Sequence, residues 1–340
     1  MVENIKSSGP IDPNDSLPPP LVSLCMPVFN GENFIEEALD SIGQQDFNDF
    51  ELIVTDNAST DATEEIVRRY AASDKRIRYV RNETNIGAAE NYNLGFNLAC
   101  GRYIKWMAHD DTLSPDFLSK TVALLDEDPT VSVAFGRTQC IDENSNFIEM
   151  QGFAMRENLS DNPADRFYRA MRGWGSCFPI FGLYRADQLA RSSLHRSHYY
   201  GSDNALIAEM MIFGKLRIDE AATFYNRFHA AQSCAAEGRA ERTFWQGNNS
   251  SRFSSLERIN LLIHLVEIAG RHPDLAPRSK LYFAVAKYAL RPVEVGRYLI
   301  EIVQFISPSL GGHIRSIAKR LRGRFSKIKR ARDIASPDET

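Results

Sequence analysis

"VSLCMPVFNGENFIEEALDSIGQQDFNDFELIVTDNASTD", residues 22–61, changes its hydrophobic period twice. It opens on a short apolar run, 21–29, that contains Pro27. Phe34, Ile35, Ala38, Leu39 and Ile42 then recur at the spacing that lines one face of a helix. "FELIVT", 50–55, returns to an unbroken apolar run. Strand, helix, strand in 40 residues is the unit that builds a parallel sheet with helices on its faces.

The same alternation continues outward. "DATEEIVRRYAAS", 61–73, reads as a helix opened by Asp61, with Glu64 in the place of a capping-box acid. "RIRYVRN" is a third strand, Ala88–Cys100 a third helix stopped by Gly101, and "RYIKWM" a fourth strand. Asp110 and Asp111 follow, then a helix expected from Ser114, with Pro115 at its first turn, to Glu127. "VSVAFG", 131–136, is a fifth strand. Beyond residue 150 the rhythm breaks. A strand is expected at Ile180–Tyr184 and an amphipathic helix at 202–213 ended by Gly214. Residues 255–306 read as helices interrupted at "GRHPDLAP" and Pro292.

Bulk properties narrow the class. The chain has 340 residues, 43% hydrophobic and 25% charged, which is ordinary globular composition. No apolar run approaches the roughly 18–20 residues that cross a bilayer. Residues 1–20 read as a disordered lead-in without the apolar stretch of a signal peptide. The five cysteines are scattered with no CxxC pair, so reduced thiols are expected and a zinc site is not. Charge is unevenly spread. The whole chain carries −4, and nine Lys or Arg at 313–332 with three acids at 333–340 leave residues 1–312 at −10. The apolar residues of 313–332 recur at helical spacing, which suits an anionic membrane surface. Nucleic acid is not expected as a partner, because the acidic body would oppose it.

Ligands of open parallel sheets sit beyond the carboxyl ends of the strands. A dinucleotide-binding turn would need GxGxxG after the first strand, and a P-loop would need GxxxxGK[ST]; "PVFNGENF" is neither. The strand ends carry Pro27, Phe29 and Asn30, then Asp56 and Asn57, then Asn85 and Gly87, then Asp110 and Asp111. These residue types suit a nucleoside diphosphate held with a hard divalent cation, which takes carboxylate oxygens and leaves positions for phosphate and water.

These motifs in this order, with "NIGAAENYNLGFNLACGRYIKWMAHDD" after the opening stretch, resemble the nucleotide-binding half of family 2 glycosyltransferases over roughly residues 21–232. The resemblance implies an α/β GT-A fold, a Rossmann-like, mostly parallel sheet flanked by helices. It divides the chain into the lead 1–20, a transferase domain 21–232 (nucleotide-sugar half 21–135, acceptor half 136–232), a helical region 233–312 and the basic tail 313–340. It further implies Asp111 and His229 as the metal residues for Mg²⁺ or Mn²⁺, Asp110 on the ribose, and Asp56 and Asn57 reading the base between Pro27 and Phe29. Asp203 is the match for the catalytic base, Arg227 for a nucleotide-sugar contact, and Trp174 would flank the acceptor. The implied activity is inverting transfer from a UDP-, dTDP- or GDP-sugar to a saccharide or lipid-linked hydroxyl in cell-surface polysaccharide synthesis. Its expected setting is cytoplasmic, peripheral on the inner face of the membrane. Two departures, Asn57 where the family carries Asp and Ser202-Asp203 where it carries Glu-Asp, motivate the alternative of a non-catalytic sugar-nucleotide binder or scaffold.

Overall fold

The structure is a computed structural model that describes residues 18–149, 156–173, 178–197, 199, 201–230, 232 and 255–307. Its first half is the expected alternation: β1 (Val22–Val28), α1 (Ile35–Gly43), β2 (Phe50–Asp56), α2 (Thr63–Ser73), β3 (Ile77–Arg81), α3 (Ala88–Leu98) and β4 (Tyr103–Trp106). These four strands lie in the order β3-β2-β1-β4, every pairing parallel. All seven residues of β1 are buried, which is why it reads as a continuous apolar run rather than an alternation. Period two still decides the destination of each side chain. Leu24 and Met26 join the core under α1, while Cys25 points to the opposite core with Ile104 and Trp106 of β4. On α1, Ile35, Ala38, Leu39 and Ile42 are buried, the face set by the apolar spacing. Gly101 is required by close approach. Its amide donates to Ser23 Oγ at 2.8 Å, and a Cβ there would lie 2.6 Å from the Ser23 nitrogen.

Beyond β4 the sheet is mixed. β5 (Thr112–Leu113), α4 (Phe117–Glu127), β6 (Val131–Ile141), β7 (Phe147–Ile148) and α5 (Pro163–Met171) are followed by a 3-10 turn at Phe178–Phe181. Then come β8 (Leu183–Arg185), α6 (Ala186–Leu189), α7 (Ser202–Phe213) and β9 (Lys215–Arg227). The sheet continues β4-β8-β6-β9-β5, with β7 on β6. β8 is antiparallel to both its neighbours, β6 and β9 are parallel, and β5 is antiparallel to β9.

Two local expectations are corrected. Ser114 does not cap α4, which begins at Phe117. Instead Ser114 Oγ donates to Asp116 Oδ1 and accepts from the Thr223 amide, stitching β5 to β9. α7 is not amphipathic, since every residue from Ala205 to Ile212 is buried. It packs between α5 and the C-terminal helix α8 (Glu257–Arg271); α9 (Arg278–Ala289) packs on α5 and α8, and α10 (Pro292–Ile306) follows.

All-round burial forces α7 to carry a charge into the core. Glu209 is fully buried. Its Oε2 accepts from the Ser193 amide (2.7 Å) and hydroxyl (2.5 Å), and its Oε1 from His272 Nε2 (2.7 Å). Burial pushes this carboxyl up, but the His272 and Ser193 hydrogen bonds and Arg271 outweigh it and hold the group below its ordinary value. Because Ser193 spends its hydrogen on Glu209, His264 Nε2 must be the donor to Ser193 Oγ at 2.8 Å. His264 Nδ1 then accepts from the Tyr199 hydroxyl at 2.6 Å. One chain of hydrogen bonds thus ties α7 and the loop before it to α8.

Candidate active site

The site is built by register. Thr112 pairs with Tyr225 and Leu113 with Phe224, so the end of β9 arrives beside the end of β4. Asp111 Oδ1 accepts from Asn226 Nδ2 and from the Arg227 amide, both at 2.9 Å. Its Oδ2 accepts no hydrogen bond among the described residues. Asp110 Oδ2 meets His229 Nε2 at 3.0 Å, and the imidazole packs on Phe34 with ring centroids 4.6 Å apart.

The two acids are chemically unequal. Burial raises the Asp111 carboxyl well above its ordinary value, and neighbouring Asp110 raises it further; the Arg227 and Asn226 hydrogen bonds offset only part. Burial acts on Asp110 in the same sense, but the hydrogen bond from His229 and the charges of His109 and His229 hold it below the usual carboxylate range. Asp111 is 1% exposed. No group of three or more His, Cys, Asp or Glu that could cage a metal occurs among the described residues. The donor set fits a hard cation that draws most of its oxygens from a diphosphate and water, with Asp111 Oδ2 as the protein's oxygen and His229 committed to Asp110.

Asp203 stands in the first turn of α7. It acts electrostatically, as do Asp110 and Asp111, on the hydroxyl of Tyr92, which burial first and these three carboxylates next push upward. Tyr92 of α3 therefore lies in the field of both acid groups. Nothing in its sequence context marked it.

Several expected contacts have other employment. Pro27 is buried within β1 opposite Thr55. Asp56 is fully buried and saturated by the Ser59 amide (2.8 Å), the Tyr79 hydroxyl and Arg81 (2.7 Å). Asn57 Oδ1 accepts from the Ile86 amide (2.8 Å) and Asn82 (3.2 Å), which fixes the amide's orientation. Its Nδ2 donates to Asn85 Oδ1, which also accepts from the amide of Gly87 (φ 87°). Asp56 and Asn57 thus shape the strand-end loops from beneath. Asn30 clips the first two loops together, its amide donating to Ser59 Oγ and its Oδ1 accepting from the Thr60 amide. Phe29 is half-buried beside it.

Arg227 is the clearest correction. Its side chain has no exposed surface. Nε donates to the Asp110 carbonyl (2.8 Å), Nη1 to the Asp142 carbonyl (3.2 Å) and Ser145 Oγ (2.9 Å), and Nη2 to Glu37 (2.6 Å). All three guanidinium nitrogens are engaged by protein groups in this structure. Trp174 and the basic segment 313–332 lie outside the described residues.

Lys105 was also unexpected. It is buried on β4, donates to the Phe181 carbonyl, and lies 4.6 Å from the Phe117 ring centroid. Burial lowers its pKa from 10.5 to about 7, with Asp111 pulling the other way. Between those values the unfolded chain binds the extra proton, so stability from this position rises with pH through the window and is flat below it. Lys105→Met is expected to abolish that rise. Urea midpoints at both ends of the window check it; an unchanged pH slope would show that the amine is not the source.

Residues 23–189 match the profile of the family described as "Glycosyl transferase family 2". An uncharacterized glycosyltransferase of Methanocaldococcus jannaschii is 32% identical over 158 residues, 43% of this chain and 54% of that protein. The putative teichuronic acid biosynthesis glycosyltransferase TuaG of Bacillus subtilis is 36% identical over 108 residues, 32% of this chain and 43% of that protein. The chain thus spans about half the length of these curated relatives. Among solved structures, S. aureus TarS 1-349 superposes with TM-score 0.52 at 19% identity, covering 84% of this chain and 81% of that one. The same protein in complex with UDP superposes with TM-score 0.51, covering 84% and 91%. This likeness shows the GT-A-type fold.

Proposed function

We propose, from the premise that residues 23–189 belong to glycosyl transferase family 2, that the chain moves a sugar from a nucleoside-diphosphate sugar to a hydroxyl of a saccharide or lipid-linked acceptor, with inversion. The observation that carries this reading is the pair of acids at the end of β4, where Asn226 and the Arg227 amide hold one oxygen of Asp111 and His229 meets Asp110. A structural relative holds UDP, which supports a nucleotide donor; UDP, dTDP and GDP all remain within the proposal.

Each residue has a step. Asp110 and the loops shaped by Asn30, Asn57 and Asn85 orient the nucleotide. Asp111 would hold Mg²⁺ or Mn²⁺, whose charge, when bound, stabilises the departing diphosphate. Asp203 takes the proton of the acceptor hydroxyl. The hydroxyl oxygen forms its bond to the anomeric carbon as the bond from that carbon to the diphosphate oxygen breaks, and the nucleoside diphosphate leaves with the electron pair. No covalent intermediate with the protein forms. The relationship to TuaG supports a place in cell-surface polysaccharide synthesis.

Asp203→Asn is expected to keep nucleotide affinity and to lose transfer by roughly a hundredfold or more, the usual scale for a positioned base. Titration of the nucleoside diphosphate beside a turnover assay separates the steps. Equal loss of both would make Asp203 a structural residue of the α7 terminus. Wild-type turnover in the variant would remove Asp203 as the base, whereas nucleotide binding without turnover in the unmutated chain would favour the non-catalytic reading, in which the fold binds the sugar nucleotide alone.

A further inference from the structure

α10 is built the wrong way round for a packed helix. Its fully buried residue is Glu294, and Tyr298 one turn on is half-buried. Glu301 accepts from the amides of Arg258 (2.8 Å) and Ile259 (3.0 Å) at the start of α8, and Arg297 pairs with Glu294 at 2.7 Å. The other face carries Val295, Leu299, Ile302 and Ile306, spaced i, i+4, i+7 and i+11, and they are 38%, 59%, 39% and 71% exposed. At 3.6 residues per turn these four fall within about 60° of one another. An amphipathic helix ordinarily gives its apolar stripe to the core. This one holds the core with charge and turns the stripe outward.

Size and charge select the occupant. Fifteen residues make a stripe about 22 Å long and about 10 Å wide, on the order of 200 Å². A stable protein pair needs about 800 Å² from each partner. A second copy would also bring a second body of charge −10 against the first. A lipid surface needs only a stripe lying in its plane and cations beside it. Those cations follow in the sequence: nine Lys or Arg and no acid at 313–332, a few residues past the end of α10. Among the described residues no helix is long and apolar enough to cross a membrane.

We propose that the outward stripe of α10, together with the basic segment after it, docks the protein on an anionic phospholipid bilayer. The apolar side chains enter the boundary between headgroups and acyl chains, and the cations meet the anionic headgroups. The acidic body is repelled by the same surface, which orients the protein with its C-terminal side toward the lipid.

The test uses the full chain and sedimentation with vesicles of phosphatidylglycerol mixed into phosphatidylcholine, and with phosphatidylcholine alone. The wild type is expected to sediment with the mixed vesicles only. The double variant Leu299→Glu, Ile306→Glu alters exposed positions, so its melting temperature should hold while vesicle affinity falls about tenfold or more. Unchanged vesicle affinity in the variant overturns the proposal, as it would if residues of the chain's own tail covered the stripe. So does equal sedimentation with phosphatidylcholine alone. A wild-type dimer that the variant splits into monomers would assign the stripe to a second copy instead. Sugar transfer is not part of the readout, so the result does not depend on the proposed activity.

Discussion

Asp111→Asn is expected to remove sugar transfer and donor hydrolysis while leaving the fold intact. The variant is nearly isosteric. Its carboxamide oxygen can keep both hydrogen bonds, from Asn226 Nδ2 and the Arg227 amide, that now converge on Oδ1. What changes is the charge and the character of Oδ2, the atom left without a protein donor. A cation-stabilised leaving group is worth several kcal/mol in the transition state. The loss should therefore be roughly a thousandfold, since each 1.36 kcal/mol is about a factor of ten. Stability should move the other way. A carboxyl whose pKa is raised in the folded state weakens folding at neutral pH, so the variant's melting temperature is expected to hold or to rise. Nucleotide affinity measured with and without Mn²⁺ is the second readout: the metal dependence of the wild type should vanish in the variant. Full activity in Asp111→Asn would remove the metal assignment.

Arg227→Ala should act through stability first. The guanidinium joins α1, the β4–β5 turn and the β6–β7 turn through Glu37, Asp110 and Asp142. Removing it strips donors from the carbonyl oxygens of two half-buried residues. Glu37 is 47% exposed and can return to water, so its share of the loss is small. The remainder, three hydrogen bonds from the guanidinium to neutral oxygens, is put at about 3 kcal/mol, roughly 1 kcal/mol each, and a fall in melting temperature of roughly 5 °C. Activity should drop with it, because the Arg227 side chain holds the Asp110 carbonyl, although the backbone amide that bonds Asp111 is kept in alanine. Arg227→Lys should recover little, since one ammonium cannot reproduce a planar fork serving three segments. The discriminating outcome is a variant with an unmoved melting temperature and a raised KM for the donor. That result would return Arg227 to the nucleotide-sugar contact its position in the sequence suggests.

These two positions show where a sequence can be read and where it cannot. The β1–β4 half was legible because each element declares itself locally, by the unbroken apolar run of β1 or the four buried positions of α1. Asp110 and Asp111 were legible as strand-end acids for the same reason. Their inequality was not. It depends on Asn226 and Arg227, 115 and 116 residues away, and on His229. Asp56 and Asn57 sit at the strand end where they were expected, yet Tyr79, Arg81 and Ile86 consume their polar atoms. Lys105 lay hidden inside an apolar strand because a single cation does not interrupt period two. α10 showed the expected helical spacing, but spacing alone does not say which face meets the protein.

The hydrogen-bonded chain through Glu209 has a consequence for motion. Asp203 and Glu209 are six residues apart on α7, about 9 Å along its axis. Any slide or turn of α7 that carried Asp203 toward a substrate would drag Glu209 away from Ser193 and His272, and an unpaired carboxylate would be left in the core. The proposed base is therefore mounted on a stationary post. Reactants must be delivered to it, and conformational freedom during turnover belongs to the segments that carry them.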